Sequence, residues 1–292
     1  MAEITAALVK ELRELTGLGM MECKRALEEA GGDLGKAEDL LRVRSGAKAS
    51  KAAGRIAAEG VIGAWLAPDR KLGALVEVNC ETDFVAKNED FLAFASGLAE
   101  VVAKQNPADV AALAAFELGG ETIEAKRQKL VQKIGENMTV RRFVRLATDA
   151  RLAQYVHGVK IGVMVDYEGD DELAKGVAMH IAFAKPQFLS KADVSPEVLA
   201  RERAVQEARA KEQGKSPEIA AKMIEGALNK FAAESALLGQ PFVVNDRLTV
   251  EKALAEKKTK LRGYRFLVVG EGIEKKASDF AAEVMAQAGA AR

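Results

Sequence analysis

The sequence predicts an α+β protein with a three-helix N-terminal module, a duplicated core built on antiparallel sheets, an inserted helical hairpin and a C-terminal helix. Three observations lead to this prediction. Apolar residues recur at helical spacing near the N-terminus, the order β, β, α, α, β occurs in two successive stretches, and a long helical segment interrupts the second stretch. A chain of 292 residues is long enough for two or three such units.

Residues 1–55 are expected to form three short helices. Thr5 can cap the first helix, a glycine pair ends the second, and Asp33 can cap the third. The stretch 44–58 is rich in Ala, Lys, Ser and Gly, which is typical of a tether or an exposed helix, and it marks the expected boundary with the core. The apolar side chains expected to face inward are Leu8, Leu12, Leu15, Leu34, Ala37 and Leu41.

The first core unit is expected over residues 56–147. Two β-rich runs, 60–66 and 72–79, flank a loop with the residue types of a hairpin, so they are expected to pair antiparallel. The remaining elements are an amphipathic helix over 90–104, a second helix over 121–135 and a strand over 138–146.

The second core unit is expected over residues 148–194 and 236–270, with a helical hairpin inserted at 195–235. Its economical interpretation is a repeat of the first unit, because the same element order returns although the sequence identity between the two is weak. The last segment, 271–292, places Phe280 and Met285 on the apolar face of a C-terminal helix. The expected elements are strands 154–158, 160–167 and 262–269, helix 171–184, and hairpin helices 196–211 and 217–231.

Composition narrows the class of function. Lys plus Arg total 43 and Asp plus Glu total 43, so there is no basic field of the kind that nucleic-acid binding uses, and nucleic acid is not the expected partner. The sequence contains no apolar run of membrane-spanning length and no basic-then-apolar leader at its start, which predicts a cytoplasmic protein. Two cysteines, Cys23 and Cys80, cannot form a disulfide framework and are expected to be packing residues.

Motifs that would indicate catalysis fail on spacing. The run 214–216 resembles the end of a phosphate-binding loop, but Arg209 stands where that loop needs a glycine. The two histidines, His157 and His180, lack neighbours at metal-ligand spacing, and His180 is expected to be a satisfied core imidazole. Carboxylates are expected on solvent faces. We therefore expect no catalytic residue, no metal site and no cofactor of the chain's own.

Two segments carry a specific resemblance to a known family. Residues 12–27, LRELTGLGMMECKRAL, resemble the N-terminal signature of the elongation factor Ts family, and residues 77–87, EVNCETDFVAK, resemble its core signature. The similarity extends through 157–158, 184–186 and 239–243 to residues 270–274, and so covers essentially the whole chain.

The resemblance implies a fold and a function. The N-terminal helices would form a ubiquitin-associated-like (UBA-like) domain, and the inserted hairpin would mediate self-association, as in some family members, or stay solvated. The chain would be a guanine nucleotide exchange factor for elongation factor Tu and no enzyme, while magnesium, GDP and GTP would belong to that partner. The residues implied as partner contacts are Thr82, Asp83, Phe84 and Val85 in the core, Arg13, Met20 and Met21 in the N-terminal module, and Phe280 and Met285 at the end.

The residues themselves leave two interpretations of the core signature. From spacing alone, Phe84 is expected to pack under the next helix, seven residues before Phe91. The resemblance favours the opposite, a phenyl side chain that reaches into the partner and disturbs its magnesium, with Asp83 capping the turn and fixing the direction of Phe84. In the same way, Arg13, Met20 and Met21 are either ordinary helix positions or an adaptable contact surface.

Two other classes of function remain to be compared with nucleotide exchange. A small-molecule enzyme on an α+β core would need a convergent polar pocket with a perturbed acid or base. An interaction scaffold would use the N-terminal module to recruit a partner and would not depend on Phe84.

Overall fold

A computed structural model describes residues 4–214 and 216–274, and it begins with the three expected helices: α1 (Ala6–Thr16), α2 (Met20–Glu29) and α3 (Leu34–Ala52). Both predicted caps are confirmed, because Leu8 donates its backbone N–H to the Thr5 hydroxyl and Lys36 donates to the Asp33 carboxylate. The UBA-like character of this module and the domain bounds stay predictions. Its core contains Val9, Leu12, Leu18, Cys23, Ala26, Leu27, Ala37 and Leu41.

The first core unit is a three-stranded antiparallel sheet covered by helices on one face. Its strands lie in the order β1-β2-β3, and the predicted antiparallel pairing of the first two is confirmed. The main covering helix buries the phenylalanines of its apolar stripe. The elements are β1 (Glu59–Leu66), β2 (Leu72–Cys80), α4 (Glu89–Gln105), the unpredicted short α5 (Val110–Ala114), α6 (Ile123–Ile134) and β3 (Thr139–Ala147).

Of the two interpretations of 44–58, a tether or an exposed helix, the helix is confirmed as far as Ala52, but its exposure is wrong on one face because α3 packs there against α6. Ser45, Ala49 and Ala52 are all buried on this face. Small side chains here allow close approach of the two helices rather than exposure: a Cβ at Gly46 would lie 3.3 Å from Oε1 of Gln128. A sequence poor in large apolar groups therefore marks a tight helix contact at this point.

The second core unit repeats the first and contains the hairpin. Its sheet has the order β4-β5-β8, again antiparallel, so the predicted duplication is confirmed. The hairpin helices pack on one another through a small apolar cluster that includes Ile224 and Leu228. The elements are β4 (Arg151–His157), β5 (Ile161–Glu168), α7 (Asp171–Ala184), the hairpin helices α8 (Pro196–Glu212) and α9 (Pro217–Ser235), β6 (Pro241–Phe242), β7 (Asn245–Thr249), α10 (Val250–Glu256) and β8 (Lys260–Val268).

The two sheets pack face to face, with α4 and α7 on the outside. Alternate residues of each central strand divide between the layers: Val76 of β2 faces α4, whereas Leu75 meets Met164 of β5 between the sheets. The unpredicted α10 takes the place in the second unit that α6 has in the first. The result is a sandwich of helix, sheet, sheet and helix that leaves the strand ends free to carry a site.

Candidate functional site

The segment 81–88, which joins β2 to α4, presents the most exposed large apolar side chain of the predicted site. We call it the 81–88 turn. Phe84 lies at its tip with 79% of its surface exposed, so the expectation that it packs under the next helix is wrong. Single exposed apolar side chains are common on protein surfaces, so the exposure of Phe84 makes it available to a partner but does not by itself indicate one.

The turn is closed by Thr82 rather than Asp83. The Thr82 hydroxyl accepts from the backbone N–H of Val85 at 3.4 Å, and a short 3₁₀ turn follows over Val85–Lys87. The predicted capping role of Asp83 is wrong because its carboxylate instead accepts from Nζ of Lys87 at 2.9 Å. That contact lowers the pKa of Asp83 from its ordinary value, so the carboxylate stays charged beside Phe84.

The residue after Phe84 anchors the turn to the protein. Val85 is only 7% exposed and belongs, with Ala86, to the core of the first unit. Of the four core signature residues, Asp83 and Phe84 therefore point outward while Val85 points inward. Val85 can hold the turn in place but does not offer its own side chain to a partner in this conformation.

The start of the turn is held from a distant part of the chain. The Glu136 carboxylate accepts three hydrogen bonds from Glu81 and Thr82. The thiol of Cys80 donates to the Thr82 carbonyl at 3.2 Å, and burial first, with the Glu136 charge second, raises the pKa of Cys80 to about 12. Cys80 is therefore a protonated packing residue, as expected for an unreactive thiol.

The predicted N-terminal contacts lie on a second surface, formed by α1 and the first turn of α2. Met20 and Met21 are 60% and 59% exposed, and Arg13 is exposed as well. Leu15, expected to face inward, is 60% exposed and adds to this surface. Leu15 lies three residues after Leu12, so it flanks the buried face of α1 near the C-terminal end of the helix.

Polar groups in the core are structural. The buried His180 ring accepts from the Val243 N–H at Nδ1 and pairs through Nε2 with Gln240, which confirms the satisfied imidazole. The expectation that carboxylates lie on solvent faces is wrong for Glu77, which is fully buried and bonds Arg141 and Arg142 at 3.0 and 2.6 Å. Within the described residues, no cluster of three metal-ligating side chains occurs.

Comparison with known proteins decides the family. The family model described as elongation factor TS matches residues 81–271. Proteins named elongation factor Ts from Nitrosospira multiformis and Cupriavidus pinatubonensis are 59% and 57% identical, each over 100% of this chain and 98% and 99% of their own lengths. A third protein named elongation factor Ts, from Bordetella petrii, is 59% identical over 99% of both chains. The chain belongs to the elongation factor Ts family.

Membership in the elongation factor Ts family confirms the resemblance seen in residues 12–27 and 77–87. The third predicted contact, Phe280 and Met285, lies outside the described residues. No helix across 4–214 and 216–274 combines the length and apolar character that a membrane span requires. The contact that sequence reasoning missed is Glu136, for which the signature residues alone carry no signal.

Proposed function

We propose that this protein binds the GDP form of elongation factor Tu and promotes release of the nucleotide so that GTP can bind. The observation that carries the proposal is Phe84, which is 79% exposed at the tip of a turn that is tied down on both sides. This turn lies in a chain whose relatives are named elongation factor Ts. A rigid, exposed phenyl group suits insertion into a partner.

The physical basis is reciprocal coupling between two ligands of one partner. If this protein binds nucleotide-free elongation factor Tu more tightly than the GDP form, GDP must bind the complex more weakly by the same factor. An acceleration of several thousand-fold corresponds to about 5 kcal/mol of differential binding. Burial of the Phe84 side chain contributes on the order of 1.5 to 3 kcal/mol of this, the scale of an interface hot spot.

Within this proposal, the 81–88 turn weakens the contacts that hold magnesium and GDP in the partner. Phe84 acts as the wedge, while Thr82 and Val85 shape the turn from within. The magnesium and the nucleotide belong to elongation factor Tu, so this protein needs no cofactor and performs no covalent step. The role requires neither a membrane nor direct contact with nucleic acid, and it is exercised in the cytoplasm.

Other contacts can share the binding energy. Arg13, Met20 and Met21 form an exposed, adaptable surface that we assign to the same partner, because unbranched methionine side chains adjust to an opposing surface. Phe280 and Met285 are proposed as a third contact. The hairpin exposes Ile219 and Met223, and this supports a second proposal, that two copies associate through it. A mass measurement in solution, alone and with partner, tests that association.

The test of nucleotide exchange uses, as a matched pair, the two phenylalanines that are exposed among the residues the structure describes. Phe84 is 79% exposed on the turn, and Phe183 is 77% exposed on α7. Release of a fluorescent GDP analogue from elongation factor Tu is followed with catalytic amounts of wild type, Phe84→Ala or Phe183→Ala. We expect wild type to accelerate release and Phe84→Ala to lose about tenfold or more of that acceleration, while Phe183→Ala retains it.

Each outcome has a defined meaning. No acceleration by the wild-type protein contradicts the exchange function. Acceleration that Phe84→Ala leaves intact contradicts the wedge and favours a scaffold or another contact. Equal losses in both variants would show that exposed phenyl area, rather than the position of Phe84 on the turn, determines the effect.

A further inference from the structure

The 81–88 turn begins where sheet pairing ends, and its first backbone donors therefore need another partner. The last register pair of β1 and β2 joins Glu59 to Cys80, so the N–H groups of Glu81 and Thr82 lie beyond the ladder. Backbone donors in a partly buried position cost free energy when they are left unpaired. One side chain accepts both of them.

That side chain is Glu136, which follows the C-terminal end of α6. Its Oε2 accepts from the backbone N–H of Glu81 at 3.1 Å and from that of Thr82 at 3.0 Å. Its Oε1 accepts from the Thr82 hydroxyl at 2.6 Å. A single carboxylate thus holds two consecutive residues by three charge-assisted hydrogen bonds, which are stronger than neutral ones.

Hydrogen bonds run in both directions between residues 81–82 and residues 136–137. Glu81 accepts from the backbone N–H of Asn137, and its carboxylate also pairs with Nε of Arg55 at 3.2 Å. Arg55 in turn donates from Nη2 to the Gly135 carbonyl at 3.0 Å, and the Asn137 side chain donates to the Arg55 carbonyl at 2.7 Å. The end of the N-terminal module, the end of α6 and the start of the turn are therefore cross-linked at one place.

Among the described residues, Glu136 binds only the two that begin the turn. In the part of the chain that the structure describes, its hydrogen bonds all go to Glu81 and Thr82, and it forms no ion pair with a Lys or Arg. Its charge serves the backbone of the turn. Phe84 lies two residues further on, so a shift of the Thr82 backbone would move the exposed phenyl group directly.

We infer that Glu136 is a positioning residue for nucleotide exchange: it holds the backbone at Glu81 and Thr82 so that Phe84 projects in a fixed direction. The inference rests on the proposed function of Phe84 and adds a residue that touches neither the partner's nucleotide nor its magnesium. Holding the turn before binding reduces the conformational entropy that is lost when Phe84 inserts.

A double-mutant cycle separates positioning from general stability. Acceleration of GDP release is measured for Glu136→Ala, Phe84→Ala and the double variant, with full-length protein and elongation factor Tu. We expect Glu136→Ala to slow the accelerated release by about tenfold, and we expect the double variant to be no slower than Phe84→Ala, because Glu136 acts through Phe84. If the fold losses in accelerated release of the two single variants multiply in the double variant, the inference is overturned.

Two further variants keep the test decisive if Glu136→Ala folds poorly. Glu136→Gln retains a carbonyl oxygen for the backbone donors without the charge, so we expect an intermediate loss of about threefold. Glu100→Ala removes an exposed carboxylate that pairs with Lys104 on α4, and we expect wild-type acceleration from it. A loss in Glu100→Ala equal to that in Glu136→Gln would overturn the inference.

Amide hydrogen exchange on the free protein tests the hold itself without the partner. We expect protection of the Glu81 and Thr82 amides to fall by about tenfold in Glu136→Ala and to be unchanged in Phe84→Ala. Unchanged protection in Glu136→Ala overturns the inference even if exchange activity falls. If wild type fails to accelerate GDP release, the exchange role of both Phe84 and Glu136 is contradicted. Loss of amide protection in Glu136→Ala would then show only that Glu136 orders the turn.

Discussion

The two halves of the core share a scaffold and differ in what they insert into it. In the first half, eight residues, 81–88, join β2 to α4 and form the turn that carries Phe84. In the second half, only Gly169 and Asp170 join β5 to α7, and the Asp170 carboxylate caps α7 by accepting from the Leu173 N–H. The second half instead inserts the hairpin of α8 and α9 between α7 and α10. The duplicated scaffold thus carries the proposed binding turn in its first copy and the helical hairpin in its second.

The halves can be aligned residue by residue through an irregularity that they share. The pairing of each central strand with the third strand of its sheet shifts register at the same place, after Glu77 in β2 and after Asp166 in β5, and the extra residue lies in the third strand. Counting from these bulges pairs Gly63 of β1 with Ala153 of β4, opposite Val76 and Val165. Paired positions with different residues are the places where the two copies should respond differently to mutation.

The largest difference is expected at the bulge itself. Glu77 is fully buried and accepts from Arg141, Arg142 and the Gly270 N–H, whereas Asp166 is half-buried and accepts from the Thr148 hydroxyl. Glu77→Ala would leave two arginines without their shared acceptor, and we expect it to lower the free energy of unfolding by about 3 to 5 kcal/mol. Asp166→Ala should cost about 1 kcal/mol.

Urea denaturation of the two variants at pH 7 measures this contrast. Equal losses of unfolding free energy in Glu77→Ala and Asp166→Ala would show that removal of the buried Glu77 destabilises the protein no more than removal of the half-buried Asp166. The hydrogen bonds to Glu77 also lower its pKa despite burial, so its stabilising contribution should be lost as pH falls below the ordinary value of 4.5. Glu77→Gln should remove that part of the acid sensitivity.

The next difference concerns how closely each helix approaches its sheet. A Cβ at Gly63 would lie 2.0 Å from the Ala95 carbonyl oxygen of α4, whereas Ala153 already carries a Cβ beneath α7. We expect Gly63→Ala to cost about 3 kcal/mol, because backbone must move to admit the methyl group. Ala153→Gly should cost only about 1 kcal/mol.

Thermal unfolding of both variants, monitored by circular dichroism, gives the comparison. A small change in the melting temperature of Gly63→Ala would mean that α4 can move away from β1 without loss of packing. In that case the distance between helix and sheet would be no constraint on the orientation of the 81–88 turn, which leads directly into α4.

The smallest difference is a response to acid. His180 stands ten residues after the cap of α7, and the fully buried Leu98 stands ten after the cap of α4. Burial lowers the pKa of His180 from 6.5, against a hydrogen bond with Gln240 that raises it. The folded state favours the neutral ring. The stabilising contribution of neutral His180 is therefore fully present above pH 6.5 and is lost as pH falls below that value.

Hydrogen exchange, corrected for intrinsic rates, compares α7 with α4 at pH 7.5 and pH 5.5. We expect protection to fall more in α7, by at most about tenfold between these two pH values, because the unfolded state binds the extra proton only below pH 6.5 and a proton on Nδ1 would face the Val243 N–H in the folded state. The His180→Gln variant should abolish the difference. Parallel loss in both helices would instead indicate acid weakening of the whole core.

Local patterns predicted most of the elements. The helical stripe over 90–104 and the β-rich runs over 60–66 and 72–79 were each confirmed to within about two residues, as expected for element ends. The helix α10 was missed because its seven residues are too few to show a period, and β6 and β7 were missed for the same reason. The stretch 44–58, expected to be a tether or an exposed helix, is helical to Ala52 but partly buried, because small residues can indicate close helix packing as well as exposure.

The candidate site was predicted less completely. The family signature located Thr82, Asp83, Phe84 and Val85, but spacing alone favoured a buried Phe84, and the exposed alternative was expected to depend on a capping Asp83. Both expectations were wrong. Spacing reports which residues share a helix or strand face, yet the direction of a side chain on a turn depends on the hydrogen bonds that close it.

The sequence by itself determined the α+β class, the duplication, the caps of α1 and α3 and the membership in a family, because these depend on short-range periodicity and on contiguous signatures. Only the tertiary structure decided that Glu77 is buried, that α3 packs on the core and that Glu136 holds Thr82. Those two residues are 54 positions apart in the chain. Contacts at such separation depend on how whole elements pack, and no local pattern of residues specifies them.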